Sequence, residues 1–309
     1  MMSVPIRKLQ EIFGGRLQEN VRMANYTTSR VGGPALGLIA VNTLDEMREA
    51  ANTLWDLDVP FKLIGSGSNI LVSDKGYAGI ILLNHCHNIR INTQKEPPTI
   101  FAESGANLSN IARQSALRGL SGLEWAGSVP GSVGGAVYGN AGAFGSDISR
   151  SLISIQALLR GEGEVTLTAE DLKFAYRSSC LKREKKDVLI LSATLQAERS
   201  SREAAWKTLM EMSEKRQATQ PTGASTGSTF KNPPGDYAGR LIEAAGLKGL
   251  QDGHARFSGL HANFIVNDGN SSAQEYLKLI RLAQKTVMEK FGVALELEIE
   301  LIGEFDDED

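Results

Sequence analysis

Residues 128–145 read SVPGSVGGAVYGNAGAFG. Six of these eighteen positions are glycine and none is charged. A flexible linker with this much glycine is ordinarily polar. This stretch instead carries Val129, Val133, Val137, Tyr138 and Phe144. It is therefore expected to be packed, with main chain in tight turns or lying close against a ligand, where a residue without a Cβ fits.

A second small-residue stretch, GSGSNILVSDKG at 65–76, follows the short apolar run FKLIG. Glycine and serine at the end of a strand present backbone N–H groups to a phosphate. No Gly-Lys-Ser/Thr follows, so this is not a P-loop. Gly65 and Gly67 fit the start of the dinucleotide fingerprint, but Ile70 stands where its last glycine belongs. A plain turn between strands is the alternative reading. Two such loops in one domain suit the two phosphates of a dinucleotide held without a Rossmann turn, which points to a different flavin fold.

Composition narrows the classes. The 309 residues suffice for two domains, 41% are hydrophobic, and the formal net charge is −3. Nothing favours nucleic acid or an anionic membrane surface. The opening MMSVPIRKLQEIF has neither the apolar core nor the cleavage site of a signal peptide. Runs such as GIILL are too short to cross a bilayer. Cys86 and Cys180 make no disulfide framework. The expectation is a soluble cytoplasmic protein. The triplet His85-Cys86-His87 has no second cluster at ligand spacing, so no metal site is expected.

Periodicity gives the elements. Residues 5–20 read as a short helix. A helix begins at Thr43, with Glu46 at capping-box spacing. FKLIG, NILVS and GIILL read as strands in quick succession. NLSNIARQSALRG is a helix closed by Gly119, and 151–197 is mostly strand. Composition shifts near 198, where a long helix begins. YAGRLIEAAG is a helix, HANFIVN a strand, and the helix after Ser272 has its capping box at Ser272 and Glu275 and its close at Gly292. ALELEIELIG, at 294–303, alternates as a strand with Glu296, Glu298 and Glu300 on one face. The chain ends in the acidic run EFDDED, read as solvated.

Three stretches carry candidate chemistry. GASTGSTFKNP, at 223–233, is dense in hydroxyls beside Lys231 and Asn232, although such a loop is often only a connection. AYRSS, at 175–179, places Arg177, a bidentate clamp for carboxylate or phosphate, in a region read as strand. A row of three glutamates is most often a solvated face, and one buried among them can take a raised pKa and a catalytic role.

Taken in order, TTSRVGGPA, IGSGSNILVSD, AGSVPGSVGGAVYGNAGAFG, AYRSS, GSTFKNP, HANFIVN and LEIELIGE resemble the UDP-N-acetylenolpyruvoylglucosamine reductase (MurB) family from about residue 20 to 304. The chain has no extra tyrosine-bearing insertion in its C-terminal half, which is similar to the compact type II branch. The resemblance implies an α+β protein in three parts. These are an N-terminal helical segment at 1–20, an FAD-binding domain of the vanillyl-alcohol-oxidase type at 21–198, and an α+β substrate-binding domain at 199–309. It implies noncovalent FAD, NADPH as hydride donor, and reduction of UDP-N-acetylglucosamine enolpyruvate to UDP-N-acetylmuramate. It also implies a monomer with this small-molecule substrate and with neither nucleic acid nor membrane as partner.

The resemblance further implies roles for residues. Ser228 is the proton donor, Arg177 holds and polarises the carboxylate, and Glu298 is the catalytic carboxyl group. Lys231 and Asn232 are substrate contacts. Arg30, Gly65, Ser66, Gly67, Ser68, Asn69, Ser128, Val129, Pro130, Gly131, Gly134, Gly135, Asn140 and Ala141 contact FAD. Two positions depart from the family pattern. The chain reads Glu296-Leu297-Glu298-Ile299-Glu300 where Glu-Pro-Glu-Val-Arg is frequent, and Leu260 precedes His261 where lysine is common. An oxygen-using flavoenzyme of the same fold and a non-catalytic nucleotide-sugar or flavin binder are the rival readings. The set Ser228, Arg177 and Glu298 argues against the second.

Overall fold

The computed structural model describes residues 4–306. The described residues form helices α1 (Ile6–Phe13), α2 (Leu44–Asp56), α3 (Leu108–Ala116), α4 (Val133–Gly139), α5 (Cys180–Arg183), α6 (Arg202–Thr219), α7 (Ala238–Ala244) and α8 (Ala273–Phe291). With the strands, they bear out the α+β class. The chain divides into two compact units, each built from several segments. The first takes in the residues up to Leu17, Ile39–Ser66 and Ile81–Arg216, and the second Gln18–Leu38, Gly67–Ile80 and the residues from Gln217 onward. This division differs from a single cut at 198. Most of α6 stays with the first unit because Ala205 and Leu209 are buried in its core, and a Cβ on Gly127 would lie 2.7 Å from Leu209 Cγ.

The first unit is built on a five-stranded antiparallel sheet. Its order is Gly163–Thr168, Leu152–Leu159, Val188–Gln196, Thr99–Glu103, Ile89–Asn92. Ile100, Ala102, Ile155, Ala157, Ala193 and Leu195 join Leu108, Ile111 and Ala112 of α3 in one core. The Asn107 side chain caps α3 by accepting from Asn110 N at 2.9 Å.

The glycine-rich stretch is packed, as expected, but its middle, Val133–Gly139, is helix. Ser132 Oγ accepts from Gly135 N at 3.4 Å and opens α4, while Val133, Ala136 and Val137 are buried. Each glycine inside a helix costs about 1 kcal/mol relative to alanine. Tertiary packing overrides that preference here. Gly134 N donates to Ser104 O at 2.8 Å and Val133 N to Ala106 O at 2.9 Å, so the helix is seated directly on main chain.

The second unit holds a four-stranded antiparallel sheet in the order Ser225–Ser228, Phe264–Asn267, Ala255–Phe257, Gln251–Asp252, and a parallel pair, Ile70–Val72 with Glu300–Ile302. Its core gathers Leu241 and Ile242 of α7, Tyr276, Leu279, Ile280 and Ala283 of α8, and Phe230, Phe257 and Ile265. The capping box expected at Ser272 and Glu275 is present, and Gly292 closes α8 in the left-handed region. Asp74 reinforces the same helix start, accepting from Ala273 N and Gln274 N, each at 2.9 Å.

Four local readings are corrected. The opening helix stops at Phe13, because Gly14 turns to φ +52°, and Leu17–Arg22 is a strand. AYRSS is a two-residue turn rather than a strand, closed by Ala175 N to Ser178 O at 2.9 Å and Ser178 N to Ala175 O at 3.0 Å. His85 and His87 lie outside the neighbouring strands, so they share no strand face. ALELEIELIG is strand only at Glu300–Ile302; before that a single bridge joins Leu297 to Phe230, and the chain bends as it changes partner to Ile70–Val72. Of the acidic run, 307–309 lies outside the described residues. No helix among the described residues is long and apolar enough to cross a membrane.

Tyr276 is fully buried, and its hydroxyl has no hydrogen-bond partner among the described residues. Burial, and secondarily the charge of Asp268, push its pKa upward. A buried unpaired hydroxyl is destabilising by about 1–3 kcal/mol. Tyr276→Phe is therefore expected to leave the thermal unfolding midpoint of the ligand-free protein unchanged or raised. A clear fall in that midpoint would contradict this account of the core.

Candidate active site

Within the second unit, four segments distant in sequence are tied by hydrogen bonds that all end on main-chain carbonyls. Thr28 N donates to Gly67 O at 3.1 Å, and Thr28 Oγ1 donates to Ser225 O at 2.7 Å. Asn69 Nδ2 donates to Glu298 O at 3.0 Å, and Glu300 N donates to Asn69 O at 2.9 Å. Glu298 N donates to Thr229 O at 2.9 Å. The loop of Arg30, the residues Gly67–Asn69, the strand ending at Ser228 and the bend at Glu298 thus form one network.

The Arg30 loop is closed by Thr27, whose hydroxyl accepts from Val31 N at 3.2 Å and donates to Val31 O at 2.8 Å. Arg30 itself is exposed at φ +56° and lines an open cavity of about 470 Å³ with Asn20, Arg22 and Asp74. Ser228 is half-buried at the end of its strand, paired with Phe264. The next turn is held by a residue that sequence reasoning missed. The buried side chain of Asn263 donates to Phe230 O at 2.8 Å and accepts from Phe230 N at 2.9 Å, while the main-chain carbonyl of Asn263 accepts from Thr229 N. Its only signal in the sequence is its place in HANFIVN.

The three glutamates are not equivalent. Glu296 is exposed and pairs with Lys231 Nζ at 3.1 Å. Glu298 is half-buried at the bend, and Glu300 opens the parallel strand. Asn232 is exposed, and its Oδ1 accepts from Ala238 N at the start of α7.

The first unit carries Gly65, Ser66, residues 128–141 and Arg177. The chain passes between units after Ser66, so the small-residue loop 65–69 is shared. The Ser128 hydroxyl is buried with no partner among the described residues. Gly134 and Gly135 differ sharply. A Cβ on Gly134 would stand 2.9 Å from Ser104 Cβ, whereas one on exposed Gly135 would meet only Ser132 Oγ, at 3.5 Å. Gly134 is therefore glycine because of the protein itself. The bare face at Gly135 and the orphaned Ser128 hydroxyl are what a bound group lying along this segment would use, so the residues present fit a dinucleotide cofactor.

Arg177 is the second central residue of its turn, at φ +53°, a conformation ordinarily filled by glycine or asparagine. Holding a longer side chain there costs about 1–2 kcal/mol. Its guanidinium lies 5.2 Å from the ring of exposed Tyr176. Asn140, at the end of α4, is only 3% exposed, and both ends of its side chain are engaged within the unit. Cys86 is buried, and burial pushes its thiol up to about 12, so it is no thiolate at neutral pH.

Two family profiles match the chain. One, described as FAD binding domain, covers residues 35–168, and the other, UDP-N-acetylenolpyruvoylglucosamine reductase, C-terminal domain, covers 218–302. A curated UDP-N-acetylenolpyruvoylglucosamine reductase of Chloroflexus aggregans is 40% identical, over 93% of this chain and 97% of its own length. That of Bacillus subtilis is 38% identical, over 98% and 99%. The crystal structure of UDP-N-acetylenolpyruvylglucosamine reductase from Thermus caldophilus superposes with a TM-score of 0.80 at 33% identity, covering 93% of this chain and 99% of that one.

The two adjacent glycines give a direct check on the packing. Gly134→Ala is expected to lower stability by about 1–3 kcal/mol, because its Cβ overpacks against Ser104. Gly135→Ala is expected to hold or raise it, since alanine is the better helix former and meets open space. Denaturant titration of the two flavin-free variants distinguishes them. Equal destabilisation would contradict the seating of α4.

Proposed function

Because the chain belongs to the UDP-N-acetylenolpyruvoylglucosamine reductase family, we propose that it is an NADPH-dependent flavoenzyme that reduces UDP-N-acetylglucosamine enolpyruvate to UDP-N-acetylmuramate. The observation that carries this reading is Asn69. It belongs to the loop assigned to FAD, and its amide holds the main chain of Glu298, the residue assigned as the catalytic carboxyl group. Cofactor loop and catalytic bend are one hydrogen-bonded piece.

Bound FAD supplies the route by which two electrons pass from NADPH to the methylene carbon of the enolpyruvyl group. Gly65–Asn69, Ser128–Gly131, Gly134, Gly135, Ala141 and Arg30 are the residues that would hold it. Reduction at the methylene carbon leaves an electron pair on the neighbouring carbon, delocalised into the carboxylate attached to it. Arg177 grips that carboxylate with its planar fork and offsets the growing charge. Glu298, in its protonated form, shares the load as a hydrogen-bond donor. Ser228 Oγ gives its proton to the carbon. Lys231 serves as a substrate contact by exchanging Glu296 for an anion of the substrate, and Asn232 lies beside it in sequence. Both NADPH and the nucleotide sugar are small molecules of the cytoplasm, where the enzyme works as a monomer.

Ser228→Ala is expected to bind FAD and to be bleached by NADPH at a near-normal rate, since that half-reaction needs no proton on the sugar. Return of the flavin colour on adding the enolpyruvyl substrate should slow by at least about 10²-fold. Stopped-flow absorbance separates the two steps. Loss of bleaching with rapid recolouring would remove Ser228 from its role. In the same assay Glu298→Gln should slow recolouring far more than Glu296→Gln, whose carboxylate only pairs with Lys231 at the surface. Equal losses at the two positions would remove Glu298 from its catalytic role.

A further inference from the structure

We propose that Asn140 is a positioning residue for Arg177. Its buried amide holds the turn that aims the guanidinium, instead of contacting the cofactor. The inference rests on the role given to Arg177 above and deepens it.

Asn140 ends α4 in the left-handed region, at φ 46° and ψ 59°, which asparagine tolerates better than most residues. Its Nδ2 donates to Ala175 O at 3.0 Å, and its Oδ1 accepts from Ser149 N at 3.3 Å. Ala175 O is the same carbonyl that accepts from Ser178 N to close the two-residue turn of Tyr176 and Arg177. The amide therefore grips the hinge of the turn.

A second link grips its other side. Ser179 Oγ donates to Tyr138 O at 2.7 Å, again from the end of α4. The pair of links matters because Arg177 is in a left-handed conformation that its side chain disfavours. An unrestrained turn would relax towards negative φ at 177 and carry the guanidinium away with it. Asn140 and Tyr138, the latter through Ser179, keep it in place from a helix that is itself seated on Ser104 and Ala106. With 3% exposure, the Asn140 side chain has its polar groups turned to the protein.

The test is a double-mutant cycle on the two half-reactions. Asn140→Gly keeps the left-handed backbone and removes both side-chain hydrogen bonds. The holoenzyme variant is expected to retain FAD and the NADPH bleaching rate, and to recolour with the enolpyruvyl substrate about ten- to a hundredfold more slowly. In an Arg177→Ala background, Asn140→Gly should add no further slowing. Ser179→Ala, which cuts the second link and leaves Asn140 intact, should slow the same step by a smaller factor. It also keeps the test open should Asn140→Gly fail to fold. Normal recolouring in both single variants, loss of FAD from folded Asn140→Gly, or additive losses in the double variant would each overturn the proposal. If Arg177→Ala itself recolours at the normal rate, the role of Arg177 falls, and this proposal falls with it. Slow Arg177→Ala with normal Asn140→Gly and Ser179→Ala would sink the positioning role alone.

Discussion

A backbone approach too close for a side chain underlies the first unit. Helix α4 is seated on the chain just beyond the strand Thr99–Glu103, with Gly134 N donating to Ser104 O at 2.8 Å. A Cβ at 134 would collide there, and the seat exists only because that Cβ is missing. From this seat the helix buries Val133, Ala136 and Val137 and leaves Gly135 bare. Its C-terminal end reaches Ala175 and Ser179 on both sides of the Arg177 turn. A packing constraint at one glycine thus fixes the helix whose end is tied to both sides of the Arg177 turn.

The second unit solves a different problem with a different device. Ser228 and Glu298 are seventy residues apart, and neither sits in a long strand. Main-chain hydrogen bonds from Glu298 N to Thr229 O and from Lys231 N to Glu296 O bring the two segments together. Asn263 fixes the turn from beneath through both ends of its amide. The bend at Glu298 follows from the geometry. The chain leaves an antiparallel neighbour, Phe230, and joins a parallel one, Ile70–Val72. A carboxyl group at such a change of partner is held by backbone on both sides while its side chain stays half-buried.

Much of this was legible in the sequence, for identifiable reasons. Helix starts announce themselves where a side chain caps the backbone, as at Thr43 and Ser272. The packed character of 128–145 followed from valines among glycines. What the sequence hid depends on contacts made across long separations. Three glycines argue against a helix at 133–139 until Ser104 is brought against them. Strict alternation argues for a strand at 294–303 until its two partners are known. A single cut at 198 misses that Leu209 is buried in the core of the first unit. Asn140 reads as one more polar residue in a glycine loop, and its bonds to Ala175 O and Ser149 N separate it from the others.

The central claim is that the reducing power of NADPH leaves through the enolpyruvyl double bond. The most direct measurement is an anaerobic single turnover of the wild-type holoenzyme. The flavin is reduced with one equivalent of NADPH, UDP-N-acetylglucosamine enolpyruvate is added, and both flavin colour and product are quantified. The account predicts full return of colour with one UDP-N-acetylmuramate formed per flavin. A flavin that stays bleached until oxygen is admitted, with no product formed, would contradict it.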